Sequence, residues 1–398
     1  MTDKKKFNPF AVSSIGLSHF SHDIFSHFVS PLLPILINNL GMNYTMAGAI
    51  SIFHRFPAFF SPIYGKIVEK SDNRLVICIC LLVTAGAICC ITLAPNYFIL
   101  CMLILIMGVS ACFYHIPAMN LTKQHAGDRT GMGMSFFMTG GELARGFGPL
   151  IVLATVSTFG ERKIYYLFPI ALLTAVLIFF QFREKKAPGV QTAKKAKKEE
   201  APFFTVLGQA KTFFTFCFLI ALARAFVAAV LNSFLPTYLT GQGHSLWFAG
   251  ISLTVLQFAA VFGTLLSGTV SDKLGKINTL IIISIFTPVL MFLFVMFSLM
   301  EGQIVAMEIF IALVGFFSFS SAPVLMALMQ DRGTENPTTV NTIYSMTDFI
   351  VNGIALTITG ILSDWLSMEN ALVVCAFFSC MALPLSLIMK FKERKSAV

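Results

Sequence analysis

Apolar runs long enough to cross hydrocarbon recur along the whole chain, at about 11–38, 44–65, 75–94, 97–119, 131–157, 164–182, 212–240, 246–270, 279–299, 303–329, 338–362 and 371–389. A helix rises about 1.5 Å per residue, so roughly 20 apolar residues cover a ~30 Å core. Twelve such spans predict an all-α membrane protein. The first span breaks its own pattern. Residues 17–28 read LSHFSHDIFSHF and place His19, His22, Asp23 and His27 where polar groups are costly. At about 100° per residue these four, with Ser26 and Ser30, occupy one arc of roughly 140°. Leu17, Phe20, Ile24, Phe25 and Phe28 cover the remainder, so the span has one wet face and one greasy face.

Composition agrees with the spans: 398 residues, 56% hydrophobic and 12% charged, with a mean hydropathy of +0.80, exclude an ordinary soluble domain. The first span follows MTDKKK, is too long for a signal-peptide core and lacks a small-residue cleavage site, so it reads as a retained helix. The nine cysteines all fall within or beside spans, at spacings that suggest neither disulfides nor zinc, and read as packing residues. Of the 28 lysines and arginines, 23 fall in the tails and alternate connections, Arg162 and Lys163 in the opposite loops, and Arg55, Arg145 and Arg224 within spans. That asymmetry predicts cytoplasmic termini. The net charge of +9 is then explained by loops facing anionic lipid, with no nucleic-acid partner implied. Nothing calls for a cofactor, and the chain reads as a monomer.

Residues 184–210 are rich in Lys, Glu and Ala, contain Pro and Gly and lack apolar periodicity near their start, predicting a cytoplasmic linker between six-helix bundles at 1–183 and 211–398. The two blocks repeat. An offset of 202 aligns Pro34 with Pro236 and Ala47-Gly48 with Ala249-Gly250; a one-residue slip then aligns GKIVEK (65–70) with GTVSDK (268–273). Parallel repeats of this kind build secondary transporters with two bundles and a mid-membrane site.

The stretch GTVSDKLGK resembles the loop motif of the major facilitator superfamily, and GGELARGFGPL (140–150) resembles the Gly-Pro motif of its antiporters. More narrowly, LSHFSHD (17–23) and FYHIP (113–117) resemble the fosmidomycin-resistance exporters, with departures at an extra residue before Pro117 and at the charges of Glu142 and Arg145. The resemblance implies twelve transmembrane helices in two pseudo-symmetric bundles, with Gly268, Asp272, Lys273, Gly275 and Lys276 as a gating motif. Gly268 is there expected to permit close helix packing.

In that architecture spans 3, 6, 9 and 12 stand outside, and these carry no ionisable Asp, Glu, Lys, Arg or His. Embedded charges fall on the remaining spans. His22, Arg55, Glu142, Arg145, Arg224 and Asp348 lie roughly 10 to 14 residues into theirs, at mid-membrane depth. The repeat superposes His22 on Arg224 and Arg55 on Gln257, as expected of a binding site. Asp23 with His19, His22 and Glu142 is expected to couple protons, since imidazoles and embedded carboxyls take up and release them. Arg55, Arg145, Arg224, His115, Gln257, Asp348 and Asn352 are the expected substrate ligands. Arg224 leads, having no acid within one turn of its own helix. Other readings stay open: the stripe fixes helix packing, Glu142 and Arg145 neutralise each other, or His19, Asp23 and His27 hold a metal ion.

These observations predict a proton-coupled secondary transporter of a small polar or anionic organic solute, working by alternating access in a bacterial-type inner membrane. Export by antiport leads. Proton symport of a carboxylate-bearing solute or metal chelate is the alternative, and a transition-metal carrier the third reading. No nucleophile-base pair or phosphate-cradling loop supports an enzyme.

Overall fold

Why the chain folds as helices follows from the bilayer, which offers no water to satisfy backbone N–H and C=O groups. The computed structural model describes residues 7–68, 70–182, 203–332 and 336–396, and among these no strand occurs. The first span is α1 (Pro9–Ser26) and α2 (Val29–Leu40); the second is α3 (Tyr44–Arg55) and α4 (Ser61–Val68). Then come α5 (Asn73–Cys89), α6 (Tyr97–Ala126), α7 (Thr130–Phe159) and α8 (Phe168–Gln181). After the short α9 (Phe203–Gln209) follow α10 (Lys211–Gly241), α11 (Leu246–Leu274), α12 (Lys276–Ser298) and α13 (Ile304–Arg332). The series ends with α14 (Pro337–Leu366), α15 (Met368–Cys380) and α16 (Ala382–Ser396). Most of the expected linker lies outside the described residues; its last part, Phe203–Gln209, is helix with Val206 buried.

The breaks inside spans have a chemical cause. Proline lacks an N–H, so Pro31 cannot bond the carbonyl of His27, Pro57 that of Phe53, or Pro384 that of Cys380. The chain accordingly turns between α1 and α2, tightens to a 3₁₀ helix at Phe56–Phe60 and breaks at Met381. Among the described residues ten helical runs are long and apolar enough to span a membrane. The two that fall short are instructive: the second span is cut at Pro57, and α7 is diluted by glycines, Glu142 and Arg145. The protein is an all-α, multi-pass membrane protein.

Two compact units form, neither from one continuous stretch. The first contains described residues within Met1–Met42, Ile52–Gly189 and Ser245–Thr254; the second contains those within Asn43–Ser51, Val190–His244 and Val255–Val398. The duplicated Ala-Gly pairs mark the displaced segments. A side chain at Gly48 would overlap the Leu356 carbonyl within the second unit, and one at Gly250 would overlap Leu153 within the first. In the second unit the Asp364 carboxylate caps α3, accepting from Tyr44 N at 2.8 Å, Thr45 N at 3.0 Å and Thr45 Oγ1 at 2.6 Å.

The loop motif departs from its expected role at one residue. An added Cβ at Gly268 would meet open space, so nothing described packs closely on it in this structure. Gly275 instead takes φ +87°, the left-handed turn that starts α12. Lys276 pairs with Asp331, and Arg332 pairs with Glu393 at 3.2 Å. Asp272 and Lys273 are exposed.

Candidate functional site

Glycines bring α7 against α1. A side chain at Gly140 would overlap the carbonyl oxygen of Gly16, and one at Gly16 would stand 2.9 Å from the Phe136 carbonyl. One residue on, a Cβ at Gly141 would lie 2.7 Å from Cε1 of His19. The GG pair therefore lets an imidazole rest on the α7 backbone. His19 stacks on Phe137, with ring centroids 4.0 Å apart, and its Nδ1 donates to the Phe137 carbonyl at 2.7 Å.

His22 is held as firmly, from the other side. It is fully buried and stacks on Tyr114 of α6 at 4.0 Å, while the Tyr114 hydroxyl bonds Ser18 Oγ at 2.7 Å. Its Nε2 lies 3.1 Å from Thr84 Oγ1 on α5. Thr84 donates to Ser110 Oγ at 2.8 Å, and Ser110 donates to the Cys80 carbonyl at 3.0 Å.

Both rings converge on Asp23. His22 Nδ1 lies 2.8 Å from Oδ1 and His19 Nε2 3.1 Å from Oδ2. His115 on α6 approaches more loosely, with Nε2 3.9 Å from Oδ1 and Nδ1 2.9 Å from its own Ala111 carbonyl. A buried polar atom without its hydrogen bond costs about 1–3 kcal/mol, so a site of this kind is stable only when charge or protons match its lone pairs. Two residues remain partly accessible, Asp23 at 19% and His115 at 38%. The carboxylate and one imidazole therefore reach accessible space while the other two rings are locked.

The alternative metal grouping left open by the sequence changes in one member. Among the described residues, His19, Asp23 and His115 bring one potential ligand atom each within 4.8 Å, whereas His27 is not in the group. It sits at the α1–α2 break, against Gly148 of α7.

The remaining expected site residues form separate pairs. Glu142 and Arg145 meet at 3.3 Å across one turn of α7. In the second unit Arg224 of α10 donates to Asp348 of α14 at 3.0 Å, so the arginine without an acid on its own helix finds one on another. Gln257, 2% exposed, bonds Asn232, and Asn352 donates to the Asp348 carbonyl at 2.6 Å. Arg55 ends α3, half-buried, just before the 3₁₀ turn. Sequence reasoning missed Thr84, Ser110, Tyr114 and the Phe137 carbonyl. Only Tyr114, adjacent to His115 in FYHIP, carried a visible signal.

The Arg224–Asp348 pair is a stability element in its own right. Removing one partner of a largely buried pair strands the other charge. Arg224→Met and Asp348→Leu are each expected to cost about 1–3 kcal/mol, with the double variant less destabilised than the two added together. Thermal unfolding of the three variants in detergent checks this; strict additivity would show that the pair is not energetically coupled.

Comparison with known proteins agrees with this architecture. The sequence profile of the Major Facilitator Superfamily matches residues 15–356. The chain is a member of that superfamily. Its relatives include the fosmidomycin resistance protein of Escherichia coli strain K12, 21% identical over 374 residues, covering 92% of this chain and 89% of that one. The multi-drug resistance efflux pump PmrA of Streptococcus pneumoniae TIGR4 is 24% identical over 284 residues, 67% of each chain. Among solved structures, a bacterial homologue of the lysosomal transporter Spinster, inward-facing and unoccupied, superposes with a TM-score of 0.75 at 15% identity, covering 95% of this chain and 96% of that one. The nucleoside transporter NupG gives 0.71 at 15% identity, covering 96% and 99%. The superfamily fold is twelve transmembrane helices in two pseudo-symmetric six-helix bundles, and the chain is a transporter of small-molecule solutes rather than an enzyme.

Proposed function

We propose that this superfamily member is a proton-coupled exporter of a small polar or anionic organic solute, working by alternating access as a drug- or metabolite-proton antiporter. The observation that carries the reading is the convergence of His19 and His22 on one partly accessible carboxylate, Asp23, at 3.1 and 2.8 Å. Embedded ionisable groups are expensive, and a cluster that alternately holds and yields protons gives that expense a use. Export is favoured by the relatives, one named for fosmidomycin resistance and another for multi-drug efflux. Glu142 tunes the cluster from α7. Arg224 takes the anionic group of the solute in exchange for Asp348, a swap that the guanidinium fork permits. We further propose a monomer in a bacterial-type inner membrane, with both termini cytoplasmic on the strength of the Lys/Arg asymmetry.

Proteoliposomes with an imposed pH gradient test the direction, using fosmidomycin as the first probe. An antiporter accumulates solute on the acidic side. Accumulation on the alkaline side would identify proton symport instead, and no response to the gradient would reject coupling for this probe.

A further inference from the structure

The tautomers of the two locked histidines can be read from their outer hydrogen bonds. A carbonyl oxygen only accepts, so Nδ1 of His19, 2.7 Å from the Phe137 carbonyl, carries the hydrogen. A neutral His19 then presents the Nε2 lone pair to Asp23, and this buried nitrogen has no other partner. For His22 the same conclusion follows through a chain. Ser110 spends its hydrogen on the Cys80 carbonyl, and Thr84 spends its own on Ser110. Thr84 Oγ1 must therefore accept from His22 Nε2, which leaves the Nδ1 lone pair facing Asp23.

Each close contact therefore joins two acceptors unless a proton lies between them. An ionised Asp23 with two neutral rings leaves both contacts unmade. One proton repairs only one of them. We propose that in this arrangement the cluster carries two protons, one in each nitrogen–oxygen contact, and that Thr84 is the positioning residue that makes the second obligatory. The inference rests on the proton-coupling reading given above and deepens it to a count. On loading, two protons from water form the missing N–H or O–H bonds and the cluster passes from a net charge of minus one to plus one; on release both return to water. The protons belong to the cluster as a whole and not to one residue.

Other groups facing the cluster do not supply these protons. From α6, the Tyr114 hydroxyl is engaged with Ser18, and His115 stands at 3.9 Å, beyond hydrogen-bond reach. From α7, Glu142 acts on His19 only through its charge and is paired with Arg145. From α8, the Ile170 carbonyl accepts from Ser21 Oγ at 3.5 Å and has no proton to give.

The test is Thr84→Val, nearly the same shape without the hydroxyl. His22 then moves its single hydrogen to Nδ1, bonds Asp23 while neutral, and the second proton is no longer required. Nitrogen-15 spectra of histidine-labelled protein at neutral pH, recorded with EDTA so that no divalent metal ion competes with protons for the cluster, read the tautomer and charge of each ring. Wild type and Thr84→Ser are expected to show both Asp23 contacts protonated with Nε2 of His22 bearing hydrogen. Thr84→Val is expected to show a neutral His22 protonated at Nδ1 and one proton fewer in the cluster. Equal counts in wild type and Thr84→Val, or a wild-type cluster holding a single proton, would overturn the inference. Failure of the broader reading looks different: the counts change as described, yet gradient-driven transport survives Asp23→Asn. Equal thermal stability of the Val and Ser variants separates the effect from misfolding.

Discussion

Asp23→Asn is expected to abolish uphill transport while leaving downhill exchange of solute at least partly intact. The amide cannot ionise, so the two imidazoles lose the charge that keeps protons beside them, and solute movement is released from proton movement. The magnitude is set by thermodynamics: each coupled proton supports about a tenfold solute gradient per unit of pH difference, since both amount to ~1.4 kcal/mol. With the membrane potential clamped at zero, a two-proton antiporter of a neutral solute holds a ratio of about 100 at one unit, and the variant should relax to about one. Counterflow in the same vesicles reports exchange. A variant that still accumulates solute would remove Asp23 from coupling.

Gly140→Ala is expected to cause a large stability loss in the first unit. Its Cβ would overlap the Gly16 carbonyl and crowd Phe20 N at 3.2 Å, both backbone atoms with no rotamer to yield. Overpacking costs about 1–3 kcal/mol where side chains absorb it, and rigid backbone should place this change at or beyond the upper end. Separation of α1 from α7 also lengthens the bond between His19 and the Phe137 carbonyl, so transport should fall with stability. Gly131→Ala provides the control: it lies on the same helix with nothing within 4 Å, and alanine should be neutral or stabilising by up to ~1 kcal/mol. Thermal unfolding of both variants checks the contrast. Similar midpoints would show that the α1–α7 approach is looser than described.

The fold was legible because hydropathy acts on long stretches. Twenty apolar residues in sequence have few alternatives to a helix in lipid, and the twelve spans correspond to the helices found. The wet face of the first span was legible for the same local reason, since 100° periodicity places His19, His22 and Asp23 together without any tertiary information. What failed to show was partnership between helices. Arg224 and Asp348 are 124 residues apart, and nothing near either identifies the other. Thr84 and Ser110 were invisible for a different reason: hydroxyls in membrane helices usually bond back to their own helix, as Thr122 does to Ala118 and Thr155 to Ile151. A residue that instead fixes a histidine tautomer looks the same in sequence. His27 lies on the same arc in sequence but sits at the α1–α2 break, outside the grouping of His19, Asp23 and His115.

Coupling at Asp23 is tested most directly by recording lumenal pH with an entrapped dye while transported solute is added to one side of proteoliposomes at equal starting pH. Solute movement through the wild-type protein should drive protons in the opposite direction, shifting lumenal pH in proportion to solute flux, and Asp23→Asn should carry flux with no pH change. Solute flux through the wild type without any pH change, or an undiminished change in the variant, would contradict the account.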